Sequence, residues 1–247
     1  MFDHVTIRAS DRDASERFYT VLLRTLGVAP TESDEHYAQW HDFSLAVATA
    51  EKPVTRGLHI AFVAPSRSHV DAFWRTGTEA GYRDDGAPGP RPQYSESYYG
   101  SFLLDPDGNS AEAVHHDSVR ADGNIDHLWL RVGDVDQSRR FYELVAEYAG
   151  FVMRRRAEHR AQFAGRSGSF SVVTGPVTAH VHIAFGVDDN AIVDAFHRAA
   201  IAAGYRDNGA PGERPVYHPG YYGAFIADPD GNNVELVNHN RPSRTPP

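Results

Sequence analysis

His4, His59 and Glu112 recur as His127, His182 and Glu235, each 123 positions further along a chain of 247 residues. A segment repeated end to end with so little drift in spacing is one architecture built twice. Each copy is close to an ordinary domain in size. DHVTIRASDRDASERFY answers DHLWLRVGDVDQSRRFY, GLHIAF answers HVHIAF, and YYGSFLLDPDGNSAEAV answers YYGAFIADPDGNNVELV. The join falls in the polar stretch HHDSVRADGN, which carries a glycine turn signal. The expected organisation is a first domain over 1–118, a linker over 119–124, a second domain over 125–241 and a frayed Pro/Arg-rich tail over 242–247.

Each half divides again into two units that begin with a strand and then a helix. Val5 and Ile7 alternate with His4, Thr6 and Arg8, the period of a strand with one buried face. Asp11 or Asp13 can cap the helix that follows. Phe18, Leu22 and Leu26 make its apolar stripe, and Gly27 suits its end. A further strand pattern covers Phe43 to Val47. The cycle restarts at Leu58, Ile60 and Phe62, followed by a helix with Val70 and Phe73 on one face. Val181, Ile183 and Phe185, then Val193 and Phe196, repeat it. DPDGN at 105–109 and 228–232 places Pro and Gly as a tight hairpin turn needs them, and lacks the oxygen ligands of an EF-hand. The apolar phase of each opening strand packs under a helix. The histidines lie on the opposite phase, facing whatever concavity the sheet makes.

There are no cysteines, so sulfur-ligated metals, thiolate nucleophiles and disulfides are excluded. A formal net charge of −9 argues against nucleic acid as a partner. The run Arg154, Arg155, Arg156 reads as a solvated strand edge. No apolar run approaches a membrane span, the N-terminal stretch is not a signal peptide, and a cytoplasmic location is expected.

Taken singly, a strand histidine is a common core or surface residue. Taken together, two imidazoles on equivalent strand positions and a carboxylate on the closing strand form a set able to hold a divalent ion. Neighbouring strands lie about 5 Å apart, close enough for such side chains to converge. Two histidines and one carboxylate make a facial triad that leaves coordination positions for substrate, unlike a closed structural zinc site.

The opening DHV and DHL strands, the paired units and the closing DPDGN-x-x-E motif resemble the vicinal oxygen chelate superfamily over residues 2 to 240. That superfamily includes glyoxalase I, extradiol ring-cleaving dioxygenases, fosfomycin-resistance enzymes and bleomycin-resistance proteins. The resemblance implies an α+β fold. Tandem domains contribute four βαβββ units, which form two cup-shaped mixed sheets with helices on the outer face. It implies a divalent metal in each cup, Fe(II) favoured over Mn, Ni, Zn or Co, on His4, His59, Glu112, His127, His182 and Glu235. Whether each cup pairs units within one half or across halves stays open, as does monomer against homodimer. The implied activity is that of a metal-dependent enzyme on a small substrate chelating through vicinal oxygens. Fe(II) dioxygenase-type chemistry is favoured. A glyoxalase I-like lyase or isomerase, and an antibiotic- or metabolite-binding resistance protein, are the alternatives. Two departures stand out. The strands Phe43–Val47 and Phe170–Val173 carry no acid where glyoxalase I-like proteins usually place a further ligand or base. Phe102 and Phe225 stand where extradiol enzymes usually carry a tyrosine.

Around the predicted cup mouths, GAPGPRP and GAPGERP read as rigid connections or walls. Arg91 and Arg214 there offer forks to an anionic substrate. Tyr98, Tyr99, Tyr221 and Tyr222, with Tyr94 and Tyr217, are candidate phenol donors to substrate oxygen. His36 and His159 are candidate general bases.

Overall fold

The computed structural model describes residues 1–117 and 123–241. Most of the expected linker, residues 119–122, and the expected tail at 242–247 lie outside the described residues. In chain order the elements are β1 (Phe2–Ala9), α1 (Arg12–Arg24), β2 (Glu32–Ser33), β3 (Tyr37–Trp40), β4 (Phe43–Val47), β5 (His59–Val63), α2 (Arg67–Glu79), β6 (Arg83–Pro90), β7 (Tyr99–Leu104) and β8 (Ser110–His115). The second half continues with β9 (Ile125–Val132), α3 (Val135–Ala149), β10 (Val152–Ala157), β11 (Arg160–Gly165), β12 (Gly168–Thr174), β13 (His182–Gly186), α4 (Asn190–Ala202), β14 (Asp207–Glu213), β15 (Tyr222–Ala227) and β16 (Asn233–Asn238).

The strands form two mixed, eight-stranded sheets, in the orders β14-β15-β16-β13-β1-β4-β3-β2 and β10-β11-β12-β9-β5-β8-β7-β6. Each sheet therefore joins one unit from each half. The outer units share the first sheet through the antiparallel pair β1–β13, and the inner units share the second through β5–β9. Of the two pairings open in the sequence, the chain adopts the one that crosses the halves. Helices α1 and α4 lie on the first sheet, α2 and α3 on the second. Helix α1 also packs on α2, and α3 on α4. The helices thus lie between the two sheets, and the concave faces open away from each other.

Local sequence explains the pieces. The Asp11 carboxylate accepts from the Ala14 N–H and caps α1, and Asp134 does the same for α3 through Gln137. Val5, Ile7, Phe18 and Leu22 are fully buried, and Leu26 nearly so. The DPDGN turns hold more than a hairpin. Asp105 accepts the backbone N–H groups of Asp107 and Asn109 on one oxygen and the Tyr19 hydroxyl on the other. Asn109 in turn donates to the Thr55 carbonyl and accepts from the Leu58 N–H. The turn therefore anchors the start of β5, the strand that carries His59. Asp228, Asn232 and Tyr142 repeat the device before His182.

GAPG is not a loose connection. Residues 86–89 and 209–212 lie within β6 and β14, irregular edge strands where proline costs no ladder hydrogen bond. Gly86 has φ +153°, and a Cβ there would run into the Phe102 ring.

Phe170 ties the two sheets together. It stacks on Phe163 at 5.0 Å and meets Tyr142 at 4.8 Å within its own sheet's layer, and it reaches Phe2 and Phe185 of the other sheet at 6.4 and 6.2 Å. Phe170→Ala is expected to lower unfolding free energy by about 3–5 kcal/mol, the range for truncating a buried phenylalanine. Urea unfolding monitored by circular dichroism measures it. A loss under about 1 kcal/mol would mean that this contact does not hold the sheets together.

Candidate metal centres

The crossed pairing sorts the six predicted ligands into two clusters. His59 and Glu112 from the first half meet His127 from the second, and His4 from the first meets His182 and Glu235 from the second. In each cluster one ligand atom per residue lies within 4.8 Å of the others. In the β5/β9 cup, His59 Nε2 is 3.0 Å and His127 Nε2 3.5 Å from Glu112 Oε2. In the β1/β13 cup, His4 Nε2 is 3.0 Å from His182 Nε2, and these nitrogens stand 3.8 and 3.2 Å from Glu235 Oε2. Neighbouring ligands on an octahedral ion, with bonds of about 2.1 Å, stand about 3 Å apart.

Two observations test whether a cation fits. Glu235 Oε2 is buried and finds no hydrogen-bond partner among the described residues, although both imidazoles face it. In the other cup the Ser110 hydroxyl donates to Asp85 at 2.7 Å, so its oxygen can only accept from His59 Nδ1, 3.2 Å away. His59 Nε2 then turns a lone pair toward a carboxylate oxygen. A second proton would relieve the repulsion, but burial lowers the pKa of His59, as it does for His182. A divalent ion satisfies both clusters, and the imidazole and carboxylate donors suit one.

A shell of hydrogen bonds aims the ligands. Asp3 Oδ2 lies 2.8 Å from His4 Nδ1, and Asp126 Oδ1 lies 2.9 Å from His127 Nδ1. Successive side chains on a regular strand point to opposite faces. Here the register slips between Phe2 and His4 in β1, and between Ile125 and His127 against β5, so each Asp occupies a β-bulge that turns it toward the following His. Burial pushes the Asp3 carboxyl up, yet hydrogen bonds from His239 and His4 outweigh it and hold the pKa well below the usual range. His239 contacts Asp3 at 2.8 Å and His116 contacts Asp126 at 2.9 Å. Sequence reading missed these four residues. The repeated Asp-His dipeptide was the available signal, concealed by the assumption of strict alternation.

Tyr98 and Tyr221 approach the clusters, but as clamps on the ligands. Their hydroxyls donate to Glu112 Oε1 at 2.6 Å and Glu235 Oε1 at 2.7 Å, leaving Oε2 for a cation. Burial, followed by the glutamate charge, pushes both phenols far above their ordinary pKa, so each remains a donor. Gly100 and Gly223 make room: a Cβ at either would strike the glutamate carboxylate. Tyr99 and Tyr222, grouped with the substrate donors in the sequence, instead bond Asp71 of α2 and Asp194 of α4. Adjacent strand residues face opposite ways, so one tyrosine of each pair goes to the helix side.

Arg91 and Arg214 bond back to carbonyls of their own edge strands, Ala87 and Pro90, and Ala210 and Glu213. Each lies over a phenylalanine, Phe102 or Phe225, at 5.5 Å. Those phenylalanines pack near His59 and His182. The arginines therefore brace the rim through an aromatic ring, which replaces the direct fork expected from sequence. His36 and His159 are 79% and 75% exposed, beside Glu35 and Glu158. Neither belongs to a cluster, and the expected general-base role has no support in this geometry.

The β5/β9 cup encloses a cavity of about 200 Å³ lined by His59, Glu112, His127, Phe102, Trp129 and Arg131, among others. Trp129 and Arg131 share the strand phase of His127, so alternation along β9 was the clue to both. Serines pair with the cup-facing positions from β4 and β12: Ser44 with Thr6, Ser169 with His127 and Ser171 with Trp129. Ser44 bonds Thr6, and Ser171 bonds Arg160.

Residues 1–113 and 124–236 match the family described as the Glyoxalase/Bleomycin resistance protein/Dioxygenase superfamily. Among solved structures, the chain is similar to glyoxalase I from Zea mays at 22% identity and a TM-score of 0.67, covering 96% of this chain and 92% of that one. It is also similar to a provisionally assigned dioxygenase from Bacillus subtilis subsp. subtilis str. 168, at 14% identity and a TM-score of 0.65, covering 97% of this chain and 85% of that one. At such identities the likeness shows the fold. No curated protein matches. Among the described residues no helix is long and apolar enough to cross a membrane.

Proposed function

We propose a function from one premise: the chain belongs to the glyoxalase/bleomycin resistance protein/dioxygenase superfamily. Each cup holds one divalent ion, Fe(II) by preference, on His59, Glu112 and His127 or on His4, His182 and Glu235. The protein is a metal-dependent enzyme for a small molecule that chelates through two neighbouring oxygens. The observation that carries this reading is the convergence of two imidazoles and one carboxylate in both cups.

A bound ion would polarise the chelating oxygens and stabilise negative charge that develops on them. The chain's own residues do the rest. Asp3, Asp126 and Ser110 fix the rings of His4, His127 and His59 through their Nδ1 atoms. Tyr98 and Tyr221 hold one oxygen of each glutamate so that the other faces inward. Phe102, Tyr94 and Trp129 screen the β5/β9 cluster from water.

Oxygenase-type chemistry is favoured over glyoxalase-type proton transfer. The latter needs a free carboxylate or comparable base beside the substrate. Serines 44 and 171 stand on the strands where one would be expected, and Asp85, the carboxylate that does line the β5/β9 cavity, is engaged by the Ser110 hydroxyl. A cavity of about 200 Å³ also falls short of the 300–1,000 Å³ of drug-sized sites, which weighs against sequestration of a bulky antibiotic in that cup.

The test is anaerobic reconstitution with Fe(II), then oxygen uptake with a catechol, beside a methylglyoxal–thiol isomerisation assay. Oxygen consumption supports the reading, and isomerisation without oxygen replaces it with the lyase. In the same preparation Asp126→Asn is expected to weaken metal binding in the β5/β9 cup by about 10–100-fold, as loss of a partner behind a ligating histidine does. Competition with a chromogenic chelator measures this. Unchanged affinity would remove Asp126 from the site.

A further inference from the structure

The two cups share ligands but differ in their walls. Register makes the comparison direct. Trp129 pairs with Ser171 as Thr6 pairs with Ser44, Arg160 pairs with Val173 as Tyr37 pairs with Ala46, and Arg155 pairs with Gln162 as Glu32 pairs with Gln39. At three matching positions the β5/β9 cup has Trp, Arg and Arg, and the β1/β13 cup has Thr, Tyr and Glu. Arg131 and Arg8 are common to both.

These differences converge. The Trp129 ring lies 5.7 Å from the His59 ring, and the Arg160 guanidinium lies 5.0 Å from the Trp129 ring centre. Tyr94 meets the edge of Trp129 at 5.8 Å. Two short steps therefore lead from a metal-ligating imidazole across an aromatic plate to a cation. Arg160 commits Nε and one terminal nitrogen to the Ser171 hydroxyl, and Arg131 commits one nitrogen to the Gly57 carbonyl. Both keep N–H groups in hand, and neither forms an ion pair with a carboxylate among the described residues. Burial, followed by the charge of Arg155, lowers the pKa of Arg160. Asp85 is the one lining carboxylate besides Glu112, and it is engaged by Ser110 at the His59 end.

We propose that the β5/β9 cup selects a small carboxylate with a flat, unsaturated body, its ring against Trp129 and its carboxylate on Arg160 and Arg131, whereas the β1/β13 cup does not. Only the chelating end of this ligand rests on the metal-dependent reading above. An anion excluded from bulk water gains from bidentate guanidinium contact, and a flat body gains from the indole face. Trp129 and Arg131 line the cavity, which admits a ligand of metabolite size, and Arg160 lies against the Trp129 ring beside it.

The test is calorimetric titration of the full chain loaded with Zn(II), which does no redox chemistry, with 3,4-dihydroxybenzoate and with catechol. The expected result is one site per chain that prefers the carboxylate by about tenfold or more. Arg160→Gln should bring that preference below about twofold with catechol binding retained, whereas Trp129→Thr, which removes the plate under the ring, should weaken both ligands. Arg131→Gln serves if thermal unfolding shows that either variant is misfolded. A wild-type preference below twofold, or one untouched by Arg160→Gln, overturns the proposal. Benzoate titrated into metal-free protein separates the two readings. Benzoate binding that depends on Arg160 supports the anion site even if catechol binding proves indifferent to metal. Catechol binding that needs metal, with no gain from a carboxylate, leaves the metal reading standing and removes this one.

Discussion

A chain carrying both His4→Ala and His59→Ala binds no metal after reconstitution, while His4→Ala combined with Glu235→Gln keeps one ion per chain. The first pair comes from one half of the sequence but strikes both cups. The second pair comes from opposite halves but strikes only the β1/β13 cup, leaving His59, Glu112 and His127 intact. If each half closed its own site, the outcomes would be reversed: His4 and His59 would share a cup, and the second pair would empty both. Removing a ligand leaves at most two protein donors, too few to hold a divalent ion through gel filtration against a competing chelator. Metal analysis of the filtered protein, wild type at two ions per chain, reads the result directly. Near-UV circular dichroism checks that both double variants keep their tertiary packing. One ion retained by the His4→Ala, His59→Ala chain would sink the crossed assignment.

That experiment addresses the part of the site that sequence left open. Alternation along β1 and β5, the apolar stripes on the helices and the DPDGN turns were legible because each is a local regularity. Strand period, helix period and turn chemistry are all written within a few residues. Which unit pairs with which is a long-range choice between two arrangements with the same ligand inventory, and no local pattern distinguishes them. The bulges that turn Asp3 and Asp126 toward His4 and His127 were hidden for the opposite reason. They break the period on which the strand assignment depends. Tyr98 and Tyr99 show a readable feature passed over, because strict alternation already sends adjacent tyrosines to opposite faces. Trp129 and Arg131 are similar: the phase that put His127 in the cup put them there too, but their chemistry emerges only beside Arg160, which β12 separates from β9 in the sheet.

Stripping the metal with a chelator at pH 7.5 should lower the unfolding temperature sharply. Metal at a thousandfold excess over its dissociation constant stabilises the folded chain by about 4 kcal/mol per site. For a chain of this size that corresponds to roughly 8 °C or more per site if the sheets unfold together. The increment should shrink as pH falls from 7.5 toward 5, because protons compete with the ion for imidazole nitrogen. The metal-free protein should also weaken in that window. Burial holds the folded pKa of His59 and His182 below the ordinary histidine value of 6.5. The unfolded chain therefore takes up protons first as pH falls, and stability present above that value is lost below it. Asp3 works in the same direction but at far lower pH, because its folded pKa is depressed below 3.8. It stays ionised throughout the window, so its contact with His4 is not what fails there. Scanning calorimetry with and without chelator, at pH 7.5, 6.5 and 5.5, separates the two effects. An unfolding temperature indifferent to chelator at pH 7.5 would contradict a metal in either cup. A metal increment as large at pH 5.5 as at pH 7.5 would mean that the ion is held by something other than imidazole.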